Sequence, residues 1–159
     1  MRRSRNTFWA LALALVTSGA TLLFAQSTQE TNPADEVREN SHLRAKIEPL
    51  LPEGTDPVAA AEGFKKLDQF VASANVSKNL EIVFDRLKSE MLGPAEGELD
   101  KAIHSLKPDL SHAEVAEHVA RANSMAREQI DAAMEEQRAA NEQRKEAEEQ
   151  DERPVPGRP

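Results

Sequence analysis

From Ser111 to Arg153 the chain contains neither proline nor glycine, and Pro154 is the first residue that breaks this run. The stretch is rich in Ala, Glu, Gln and Arg, all strong helix formers. At about 1.5 Å per residue, a helix of some 40 residues extends roughly 60 Å, which is longer than a chain this small needs to span its own core. The start is equally well marked. Ser111 and Glu114 have the spacing of a capping box, in which each side chain reaches a free backbone N–H near the other. Leu110 and Val115 have the spacing of the hydrophobic staple that fixes the entry angle.

This long helix reads as two halves. Val115, Val119, Ala122, Ala126, Ile130, Ala133 and Met134 form a stripe at spacings of three and four, the mark of a face that packs. From Glu135 to Arg153 alanine is the only apolar residue type among charged residues, Gln and Asn. Arg138 with Glu142, and Arg144 with Glu148, are opposite charges four apart, the spacing at which side chains meet on a helix surface. The half up to Met134 is expected to pack on the domain, and residues 135–153 to project as a charged helix. The stripe loses its large apolar residues after Met134, so a heptad coiled coil along the whole arm is not expected. Residues 154–159 are proline-rich and read as an unstructured tail.

Three shorter helices are expected before it. Asp56-Pro57 is a good helix start, and Phe64, Leu67, Phe70 and Val71 share one face, predicting a helix over about 57–74. Leu80, Val83, Phe84, Leu87 and Met91 predict a second over 76–92, ended by Gly93-Pro94; Ile82-Val83-Phe84 leaves room for a break near 80–82. Leu99, Ile103 and Leu106 predict a third over about 96–107, ended by Pro108. The expected fold class is therefore all-α, with three short helices packed on the first half of a long C-terminal helix. Residues 56–134 form the domain in this reading. Residues 28–55, polar at first and then broken by Pro49, Pro52 and Gly54, read as a flexible linker with room for one short helix at Val37, Leu43 and Ile47.

The N-terminus carries a different signal. Arg2, Arg3 and Arg5 precede an apolar run from Phe8 to Phe24, and Ala25-Gln26-Ser27 follows. This is the pattern of a secretory signal, cleaved after Ser27 or Ala25, or of a signal anchor if residues 8–24 stay in the membrane. Residues 1–27 are set apart from the fold on this basis. Without the three signal arginines, 17 basic and 28 acidic residues remain, a net charge of −11. So acidic a surface repels phosphate backbones, and nucleic acid is not expected as a partner. A membrane enters only through the N-terminal segment. The chain has no cysteine, which removes disulfides, thiolate chemistry and Cys-based metal sites.

The stretch Val76-Ser77-Lys78-Asn79-Leu80-Glu81-Ile82, then Phe84, Leu87-Lys88, Met91 and Gly93, continues into Ala102-Ile103 and Leu106-Lys107-Pro108-Asp109. Together these resemble a segment that recurs in small uncharacterised exported bacterial proteins. The resemblance covers about residues 64–110. It implies a bacterial exported helical domain, and it carries over no activity and no functional residue.

Candidate chemistry is sparse. Glu114 and His118 lie four apart on one helix face, and His104 on the preceding helix could supply a third metal ligand, the minimum a zinc site usually takes. Exposed polar positions give the same pattern. His112, six residues from His118, points elsewhere on that helix. Glu81 and Asp85 could share a face, but Arg86 and Lys88 lie beside them and nothing marks a pocket. Phe64, Phe70 and Phe84 read as core, with an apolar binding groove as the other reading. No nucleophile elbow, glycine-rich phosphate loop or HExxH motif occurs, and no pattern calls for a cofactor. The apolar inventory is thin for a free-standing unit of this size, so a protein partner or a homo-oligomer is expected. The expected function is a non-enzymatic exported envelope protein acting through helical protein–protein interaction. A small periplasmic chaperone is the second reading, and a metal-responsive envelope protein is the third.

Overall fold

The structure is a computed structural model, and it describes residues 32–151. The signal or anchor expected over residues 1–27 and the proline-rich tail at 154–159 lie outside the described residues. Among the described residues the fold is all-α. The helices are α1 (Pro33–Glu39), α2 (Ser41–Ile47), α3 (Pro57–Ala61), α4 (Leu67–Asn79), α5 (Phe84–Leu92), α6 (Leu99–Leu106) and α7 (His112–Asp151), with a 3-10 turn at Glu48–Leu50 after α2. The long C-terminal helix is present as expected, and it packs against the earlier helices.

The centre of the domain is α4. From Phe70 to Ser77 every residue is buried, although the helix is rich in Ala72, Ser73, Ala74 and Ser77 rather than in large side chains. Small residues let neighbouring helices approach on all sides at once. The two serines pay no penalty for burial, because each hydroxyl finds a local carbonyl: Ser73 Oγ donates to Gln69 O at 2.8 Å, and Ser77 Oγ donates to Ile82 O at 2.8 Å. Phe64 and Phe84 close on Phe70 from either side, with ring centroids 5.4 and 6.2 Å from it in tilted and edge-on geometry.

α7 lies along both α4 and α2, α6 packs on the start of α7, and α5 bridges α4 and α6. Val115, Ala122, Ala126 and Ala133 are the buried positions of α7, with Val119 and Ile130 partly buried beside them. This is the stripe read from the sequence.

Residues 33–50 differ from the flexible linker expected over 28–55. They form two helices and the 3-10 turn, and Ala34, Val37, Leu43, Ile47 and Leu51 belong to the core. The reason lies in two asparagines. Asn32 Oδ1 accepts from Ala34 N at 3.1 Å ahead of Pro33, and Asn40 Oδ1 accepts from Leu43 N at 2.9 Å. Each satisfies a free N–H of a first turn. Asn40 ends α1 and starts α2, and it is itself buried. Few apolar residues suffice here because each is completely covered.

The helix expected over 57–74 is broken inside its span, while the break left open near 80–82 is present. α3 stops at Ala61, Gly63 takes φ +89°, and α4 starts at Leu67 and runs past residue 76 to Asn79. The true interruption is at Leu80–Val83, where Glu81 takes φ +52° and Ile82 N donates back to Ser77 O at 3.0 Å. Six short helices therefore replace the three expected.

Candidate functional site

The first turn of α7 is built as its sequence dictates. Glu114 N donates to Ser111 Oγ at 3.3 Å, and Ser111 N donates to Glu114 Oε2 at 2.9 Å, while the serine hydroxyl also donates to that oxygen at 2.7 Å. These bonds hold the Glu114 carboxyl below the usual carboxylate range, the serine hydroxyl contributing most, the backbone N–H next, and His118 a smaller electrostatic part. Glu114 is therefore occupied as a cap.

The trio His104, Glu114 and His118 is not brought together. Among the described residues no group of three or more His, Asp or Glu side chains is gathered as a metal site. His104 instead stacks on His112, with ring centroids 4.6 Å apart and planes 23° from parallel. The turn 107–111 folds α7 back on α6 and creates this contact, which counting along α7 alone does not reveal. Two histidines eight residues apart across Pro108 were the only sequence signal for it.

Glu81 sits in the exposed turn before α5, and Asp85 is exposed in the first turn of α5; neither lines a described cavity. Phe64, Phe70 and Phe84 are buried, so they are core and not a groove. The depressions on the surface are shallow. One of them, about 630 Å³, lies beside the α5–α6 turn and is lined by Gly63, Lys65, Gln69, Met91, Leu92 and Glu96 among others. It holds no histidine, serine or paired carboxylates.

Where α2 meets α7, the Glu136 carboxylate is held by Lys46 Nζ at 2.9 Å and faces His42 Nδ1 at 3.3 Å. The Lys46 hydrogen bond holds its carboxyl below the usual range, and the charge of Lys46 and the presence of His42 add to this. Asn40 Nδ2 approaches Met134 Sδ at 3.6 Å, and Gln137 and Ala140 are half-buried. The packed part of α7 thus reaches about Ala140, beyond the boundary expected at Met134, because the unforeseen α1–α2 pair covers one more turn and a half. Deeper in the same seam, Asn75 Nδ2 donates to Gln129 Oε1 and to Val71 O, both at 2.9 Å. This part-buried polar bond ties α4 to α7.

Past that seam, residues 141–149 are exposed on every face of the helix. Their expected Arg–Glu pairs do not close into ion pairs among the described residues; the amide of Gln137 donates to Asn141 Oδ1 at 3.2 Å instead. No helix among the described residues is long and apolar enough to cross a membrane. The chain matches no protein-family model, and no curated protein or solved structure is detectably similar to it.

Proposed function

We propose that this protein is a non-enzymatic exported protein of the bacterial envelope that works by helical protein–protein contact, with the outer part of α7 as its contact arm. The observation that carries this reading is the arm itself. α7 continues past the last residue of the domain that touches it, and residues 141–149 stay helical with solvent on all sides. Isolated helices of this length are marginal in water. Here the clamped inner half supplies the nucleus, so the arm is presented already folded and loses little entropy when a partner binds. The basic n-region and apolar run at the N-terminus support export.

The chaperone reading is weaker. A cradle for unfolded chains needs contiguous exposed apolar surface. Among the described residues the large apolar side chains with high exposure are Val83, Leu92 and Met134, and Val83 and Leu92 lie at opposite ends of α5.

The test is site-specific photo-crosslinking in the envelope, with the reactive residue placed at Gln143 or Lys145 of the full chain. Discrete adducts, lost when the reactive residue is moved to the exposed Glu53 loop, support the arm as a contact surface. Absence of any protein adduct from both arm positions overturns the proposal.

A further inference from the structure

We draw no further inference here: the strongest candidate, the depression of about 460 Å³ between α6 and α7 beside the stacked rings of His104 and His112, carries nothing, because nothing in the structure shows what covers it.

Discussion

Two helices of this protein carry long stretches of small or polar side chains and yet meet opposite fates. α4 carries Ala72, Ser73, Ala74, Asn75 and Ser77 and is buried on every side. The outer part of α7, residues 141–149, carries Ala147 among Asn, Glu, Gln, Arg and Lys and is exposed on every side. Large apolar residues account for part of the difference, since α4 also buries Leu67, Phe70, Val71 and Val76; side-chain length and charge account for the rest. Short side chains with locally satisfied hydroxyls can be surrounded, because helices close to within touching distance around them and the Ser73 and Ser77 hydroxyls find carbonyls at once. Long ionised side chains would have to give up water with no partner, at a cost that packing does not repay. α4 is held by its neighbours; the arm is held by its own propensity and by the clamp at its base.

Replacing Phe70 by Ala is the sharpest way to break the comparison at its buried end. The ring is fully enclosed, and its loss should cost about 3–5 kcal/mol, read as a large drop in the denaturant midpoint. Asn75→Ala should cost about 0.5–1.5 kcal/mol, because it removes the side-chain hydrogen bond to Gln129 that joins α4 to α7. Ser111→Ala should cost about 1 kcal/mol and fray only the first turn of α7, which amide exchange would localise.

Truncation separates the two parts of α7. Ending the chain after Asn141 should change stability by less than about 0.5 kcal/mol, whereas ending it after Met134 removes the partner of Lys46 and should lower the melting temperature measurably. Equal melting of both would place the boundary at Met134 after all. The smallest effect concerns acid. Glu136 has its carboxyl held down in the folded state by Lys46, so its contribution is present above the ordinary carboxylate range and fades as pH falls through the lowered value. Glu136→Gln should flatten that part of the stability-against-pH curve, and raised salt should mimic it.

Legibility followed the distance over which each cause acts. The start of α7 was readable because Ser111, Glu114, Leu110 and Val115 are neighbours in sequence. The aromatic cluster was readable as core because Phe64, Phe70 and Phe84 sit amid apolar residues, although Phe64 lies in the loop between α3 and α4 and not on the helix its spacing predicted. α1 and α2 were readable only as room for one short helix at Val37, Leu43 and Ile47; their division in two at Asn40 was not, since Asn40 looks like any polar linker residue until Met134, far along the chain, approaches it. The break after Ala61 was hidden because one glycine costs a helix only about 1 kcal/mol. Neither the His104–His112 stack nor the grip of His42 and Lys46 on Glu136 could be read from spacing, since each is made by a fold-back.

The unbroken passage of α7 from clamp to arm has a consequence of phase. With no joint between the two, each residue of the arm points at a bearing fixed relative to α4, advancing about 100° per position. Inserting a single residue after Asn141 would swing every arm side chain beyond it by that angle and carry it outward only about 1.5 Å. Inserting seven would restore the bearing to within about 20° and lengthen the arm by about 10 Å. A partner that grips one side of the arm would lose its hold in the first case and keep it in the second, while one that senses only length would do the reverse.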